Sequence, residues 1–177
     1  EAFKDCSFTG DLVVPGTVKS VYGGAFDGNK FTGNLTFEEG VEIIFTSMYY
    51  SGFAGCEDAT GTATFPSTLI QVTGDPLFLC FKLKKVVNNS NLQIDLPYVN
   101  KTNDDIWVNN ANPLYEITYI NKGTALRKFV VHFYNNGNEY DKQLVSPGDK
   151  AIASAIPEFD GYRFDGWYLG NTKWNFN

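Results

Sequence analysis

Phe8-Thr9-Gly10-Asp11-Leu12-Val13-Val14-Pro15 is stated twice more in this chain. It returns as Phe31-Thr32-Gly33-Asn34-Leu35-Thr36-Phe37-Glu38 and again as Ala59-Thr60-Gly61-Thr62-Ala63-Thr64-Phe65-Pro66. The correspondence continues beyond the octet: Val18 and Val21 match Val41 and Ile44, then Leu69 and Val72. The unit recurs after 23 and then 28 residues. A fixed unit at such a period marks a stacked-repeat architecture. Leu12 and Val14 share one face, as do Leu35 and Phe37, and Ala63 and Phe65. This period-two alternation predicts short strands at about 11–14, 34–37 and 62–65. Pro15 and Pro66 end their strands by removing an amide donor, and Thr9-Gly10 reads as the corner that precedes the first. One coil cannot bury its own apolar face, so the coils are expected to stack with their strands paired in parallel.

Ala2-Phe3, Ala25-Phe26, Gly52-Phe53 and Leu77-Phe78 open successive units. Cys6, Asn29, Cys56 and Cys80 then share one repeat position, read as a buried small side chain at a tight corner. Their spacing fits neither a zinc site nor a redox pair. A Cys6–Cys56 disulfide is disfavoured, because the two lie two coils apart. The second unit is longer than the first, and its extra residues, around Met48-Tyr49-Tyr50, predict an outward loop. Leu83–Val87 reads as a fourth strand with lysines on its solvent face.

After Asn88-Asn89-Ser90-Asn91 the repeat fades. Strands are expected at 92–97 and 114–120, in a segment that caps the solenoid and is anchored by Trp107. A second unit begins near Leu126. It holds a strand at 129–134, a strong turn at Asn135-Asn136-Gly137-Asn138, a second turn at Ser146-Pro147-Gly148-Asp149, and a dense aromatic run from Tyr162 to Phe176. These rings are read as the core of a small domain. The expected division is a solenoid at 1–100, a cap or linker at 101–125 and a small domain at 126–177.

The totals bound the function. The 177 residues are 43% hydrophobic and 16% aromatic, with a net charge of −6. An acidic chain lacks the basic face a nucleic-acid partner requires. No apolar run is long enough to cross a bilayer as a helix. The sequence begins at Glu1 rather than Met. This reads as a mature or trimmed fragment whose targeting signal is gone, with further repeats expected upstream.

The search for chemistry finds no catalytic residue, no metal site and no cofactor motif. His132 is the single histidine. It alternates with Val131 and Phe133, so it is expected to face away from the core. Glu38-Glu39 and Asp104-Asp105 are adjacent pairs, and neighbours on a strand point to opposite faces. Phe26-Asp27-Gly28-Asn29 and Phe159-Asp160-Gly161 read as turns before they read as calcium sites.

The Phe-x-x-Cys corner, the Thr-Gly-x-Leu-x-Val-Pro strand and the Val-x-x-Val closure resemble BspA-like leucine-rich repeats of bacterial surface proteins, over about residues 2–87. The resemblance implies a mainly β fold, a short right-handed leucine-rich-repeat solenoid. Copy two departs with Glu38 for Pro, and copy three with Ala63 for Leu. Val131-His132-Phe133, Asn136-Gly137, Pro147-Gly148, Pro157 and Gly161-Tyr162-Arg163-Phe164-Asp165-Gly166-Trp167-Tyr168 resemble a Listeria–Bacteroides repeat, which implies a small β-grasp-like module. The sequence looks to stop before the last strand such modules have. Both resemblances imply an extracellular or cell-surface protein engaged in adhesion.

The expected function is therefore a non-enzymatic adhesion or protein-binding module. Its candidate contact residues are Asp11, Val13, Asn34, Thr36, Thr62 and Thr64 on the outward strand face, with Tyr49 and Tyr50 on the loop. The partner would be a host or bacterial surface protein. The alternative is a carbohydrate-binding module, with Tyr49, Tyr50, Tyr98 and Trp107 as stacking platforms for a glycan. A passive spacer is the third reading.

Overall fold

The computed structural model describes residues 2–46, 56–96 and 105–176. It is all-β, with no helix among these residues, and the chain divides into two units at Arg127/Lys128.

Unit 1 is a β-solenoid of about three turns. Its principal strands are β1 (Thr9–Val14), β3 (Lys30–Phe37), β5 (Thr62–Phe65) and β7 (Lys85–Asn88), paired in parallel in that order. Each of the first three coils has a second strand, absent from the sequence reading. These are β2 (Ser20–Tyr22), β4 (Ile43–Phe45) and β6 (Gln71–Thr73), which form a separate parallel sheet. Three residues are too few to display an alternation, which is why the pattern was silent. The two sheets face each other across the core. Leu12, Val14, Leu35, Phe37, Ala63, Phe65 and Val86 enter it from the first, and Val21 and Ile44 from the second. Phe37 and Phe65 stack at 5.4 Å with ring planes 3° apart, so the repeat aligns like side chains from coil to coil.

Three details differ from the sequence reading. Thr9-Gly10 is not a corner but lies inside β1, as Thr32-Gly33 lies inside β3. The register slips between Gly10 and Leu12, where the facing segment of β3 bulges. Val18 is exposed although Val41 and Leu69 at the same repeat position are buried, and Cys6 is exposed although Cys56 and Cys80 are buried. Both exceptions belong to the first coil. The thiols of all three cysteines are free.

Beyond β7 the parallel stack ends. Residues 123–126 of β12 (Gly123–Asn135) pair antiparallel with β7, and β9 (Asp105–Asn109) and β10 (Asn112–Glu116) follow in the sheet. The sequence reading had no strand at β9. β8 (Ile94–Asp95) and β11 (Tyr119–Ile120) make a small antiparallel pair. Trp107 and Ile120 are buried in the same core as the coils, and Arg127 pairs with Asp105.

In unit 2, residues 129–135 of β12 pair antiparallel with β13 (Asn138–Val145). Asn136 and Gly137 both have positive φ, 52° and 79°, which is the tight hairpin turn that Asn-Gly favours. A second hairpin joins β14 (Tyr168–Leu169) to β15 (Thr172–Lys173).

Candidate functional site

The outward side of the β1-β3-β5-β7 sheet is set by the same alternation that fills the core. Val13, Thr36, Thr64 and Val87 stand in one register line, one residue per coil. Val13 is 53% exposed, and the other three are half-buried by their neighbours. The line presents small aliphatic and hydroxyl side chains and no charge.

The neighbouring outward positions are different. The Asp11 carboxylate accepts the Asn34 amide N–H at 2.7 Å, and the Asn34 side-chain Oδ1 accepts the Thr62 amide N–H at 2.9 Å. Each side chain thus ties its coil to the next, the Asp11 bond lying where the register of β1 and β3 slips. A glycine makes room for each. A Cβ at Gly33 would lie 1.8 Å from Asp11 Oδ1, and one at Gly61 would lie 2.4 Å from Asn34 Oδ1. Asp11 and Asn34 are therefore on the predicted face but committed to the scaffold. Sequence reading missed this, although Gly-Asx recurring at the repeat period was its visible trace.

Other polar residues serve the scaffold too. Glu38 accepts the Gly16 amide, while Glu39 accepts the amide and hydroxyl of Ser67. The Ser67 bonds hold the Glu39 carboxyl below its ordinary pKa. Asn29 is buried, accepts the Phe8 amide, and donates to the carbonyls of Phe3 and Phe26. Asp27 pairs with Lys4 at 3.1 Å. These commitments leave the Asp27-Gly28-Asn29 turn poorly suited to calcium. Among the described residues no group of three or more His, Cys, Asp or Glu converges as metal ligands.

Unit 2 has a half-open groove of about 780 Å³, lined among others by Phe129, Val131, Phe133, Pro157, Trp167 and Trp174. Trp167 is its hub. Phe133, Phe164 and Tyr140 lie 5.0, 5.4 and 5.8 Å from it, centroid to centroid. Its indole Nε1 is buried and has no hydrogen-bond partner among the described residues. The expectation that these aromatics form a closed core holds only for Phe133 and its neighbours. Phe159, Tyr162, Tyr168 and Trp174 are exposed, because the segment between β13 and β14 contains no strand to cover them. Asp165 accepts bonds from Tyr168 and Lys173 at the groove's edge, and the Tyr168 hydroxyl, then Lys173, hold its carboxyl below the usual range. His132 meets Glu139, Nδ1 to Oε2, at 2.5 Å.

Tyr49, Tyr50 and Tyr98 lie outside the described residues. Trp107 is buried among coil residues, so it cannot be the sugar-stacking platform the carbohydrate alternative required.

Residues 129–177 match the Listeria-Bacteroides repeat domain. The second unit thus carries a repeat of the kind typical of bacterial surface proteins. The matched segment contains Trp167 and every described residue that lines the groove, Phe129 through Phe176. No curated protein and no solved structure matches the chain.

Proposed function

We propose that this chain is a non-enzymatic module of a bacterial surface protein, in which BspA-like leucine-rich repeats present a face that binds another protein. The observation that carries this reading is the register line Val13–Thr36–Thr64–Val87. It is outward on a sheet whose inner side is fully packed, and its side chains have no part in the Asx bonds beside them. Such a line is free to serve contact without cost to the fold. Thr62 extends it at the edge. The Listeria-Bacteroides repeat supports a cell-surface setting, where many coils together supply avidity that one short sheet lacks.

The test is a binding screen of the full chain against matrix proteins and a glycan array. A variant with Val13→Asp, Thr36→Lys and Thr64→Lys is screened in parallel. A protein ligand bound by the parent and lost by the variant, with unchanged circular dichroism, supports the reading. Signal on glycans alone overturns it, and so does a protein ligand held equally by both chains. A passive spacer binds nothing on either panel.

A further inference from the structure

Cys56 and Cys80 stand at one repeat position in successive coils, 24 residues apart. Each opens the same turn. The Ala59 amide donates to the Cys56 carbonyl at 3.0 Å, and the Leu83 amide donates to the Cys80 carbonyl at 3.4 Å. Just beyond the two cysteines, Lys82 pairs with Asp58 from turn to turn. The strands that follow, β5 and β7, are direct parallel neighbours. One corner therefore lies on the other. Backbones stacked at the strand spacing of about 4.8 Å fall inside the span of roughly 4.4–6.8 Å that a disulfide bridges between Cα atoms. Both side chains are fully buried in the same core. Their thiols also meet: hydrogen bonding with Cys56, then burial, pushes the Cys80 pKa well above that of an ordinary thiol. Cys6 is placed differently. It is exposed, and the next coil offers Asn29 at this position instead of a second thiol.

We propose that Cys56 and Cys80 are an oxidation site, a dithiol that closes to an inter-coil disulfide by exchange with a low-molecular-weight disulfide. One cysteine loses its proton and attacks the small disulfide, which releases one small thiolate and leaves a mixed disulfide. The other cysteine, deprotonated in turn, attacks the protein sulfur of that bond, and the second small thiolate leaves. One S–S bond forms and one breaks. The protein gives up two electrons and two protons, and two small thiols carry them away. Burial of both sulfurs keeps the folded dithiol unreactive until the corner opens or the chain folds in the presence of the oxidant. A cell-surface setting, which the Listeria-Bacteroides repeat supports, is where such bonds persist. The site needs no protein ligand, so it stands or falls apart from the contact face.

The full chain carrying Cys6→Ser, which leaves this pair alone, is reduced, unfolded in urea and refolded in a buffer of reduced and oxidised glutathione. A parallel sample stays in urea in the same buffer. Both are quenched with iodoacetamide, and the Cys56–Cys80 link is quantified by peptide mapping without reduction. A link that stabilises the fold is favoured by the fold to the same degree. The ratio of linked to reduced chain is therefore expected to be about a hundredfold higher in the refolded sample, from the length of loop the bridge closes. The linked chain is expected to unfold at higher urea than the reduced chain, and dithiothreitol is expected to reverse the gain. Cys80→Ala in the same background is expected to show no gain on oxidation. A ratio no higher than in urea overturns the proposal, because a buried pair placed only to fill the corners gains nothing from folding. So does a linked chain less stable than the reduced one, or a refolded chain that carries glutathione on both cysteines.

Discussion

The Asp11 carboxylate occupies the volume in which a Gly33 side chain would lie: an added Cβ would sit 1.8 Å from Oδ1. The same oxygen accepts the Asn34 amide at 2.7 Å. Gly33→Ala must therefore evict the carboxylate and break a charge-assisted bond, an expected loss of about 2–3 kcal/mol. Asp11→Ala loses the bond but creates no clash, at about 1–2 kcal/mol. With Asp11 already trimmed, Gly33→Ala meets nothing closer than the Asp11 backbone nitrogen at 3.3 Å. The double variant is expected to be about as stable as Asp11→Ala alone. Urea denaturation of the four chains gives the coupling directly.

Gly61 presents the contrasting case. Its added Cβ would lie 2.4 Å from Asn34 Oδ1, but also 2.8 Å from the Gly33 carbonyl oxygen and 2.9 Å from its carbon. A side chain can be removed and a backbone cannot. Asn34→Ala is expected to leave the Gly61→Ala penalty, about 2–3 kcal/mol, essentially intact. Rescue at Gly61 as complete as at Gly33 would show that the backbones can separate, against the close coil packing described above.

These two glycines mark the limit of what the sequence made legible. The inner columns were readable, because alternation over four residues is enough to assign Leu12, Leu35 and Ala63 to one side. The outward column followed from the same parity. What parity cannot tell is whether an outward side chain is free or bonded to the next coil, so Asp11 and Asn34 looked equivalent to Val13 and Thr36. A glycine before an Asx also reads as a turn, and only the stacked coil reveals it as a cradle. In unit 2 the rings around Trp167 were visible as composition. Whether they close over one another depends on strands that the segment from Ser146 to Trp167 does not form.

Asn29 extends the argument to a buried position. Cys occupies the equivalent place in later coils, yet Asn29 makes three bonds to backbone, of 3.0, 2.8 and 2.7 Å. Asn29→Cys leaves the Phe8 amide and the Phe3 carbonyl without this partner. The expected cost is about 2–3 kcal/mol, although the substitution looks conservative within the repeat. A shift of the urea midpoint with unchanged slope measures it. A neutral result would mean that water or a local shift replaces the amide.

Asp75 gives the chain a pH dependence of unusual sign for a carboxylate. Burial pushes its pKa from an ordinary 3.8 up to about 6, the Asp95 carboxylate adds to the rise, and the Leu77 and Phe78 amides oppose it. A carboxyl with a higher pKa in the folded than in the unfolded chain is held preferentially in its protonated form. Its contribution therefore turns against folding as pH climbs from about 4 to about 6, and the loss is complete above that. Asp75→Asn removes the charge while its amide oxygen can still accept the Leu77 N–H, which Asp75 Oδ1 holds at 2.9 Å. The variant is expected to match the parent near pH 4 and exceed it by about 2–3 kcal/mol at pH 8, from the size of the shift. Parallel denaturation series across this range isolate the effect, since Glu39, Asp58, Asp141 and Asp165 titrate identically in both chains. A difference independent of pH would refute this account of Asp75.

Leu12 and Val13 are adjacent on β1 and face opposite sides. Leu12 is buried and registers with Leu35 across the strand pair. Leu12→Asp would place a carboxylate among apolar side chains, with the desolvation penalty added to the lost packing. The expected cost is about 4 kcal/mol or more, enough to unfold a domain of ordinary stability. Val13 is outward and registers with Thr36, so Val13→Asp keeps its charge in water and is expected to cost under about 1 kcal/mol. Its nearest penalty is repulsion from Asp11, two residues away on the same face. Circular dichroism and urea midpoints separate the two variants. If the register line is the contact surface, Val13→Asp must also weaken a protein ligand while leaving the urea midpoint nearly unmoved. That combination cannot arise from damage to the scaffold, and its absence with a ligand in hand would move recognition off this face.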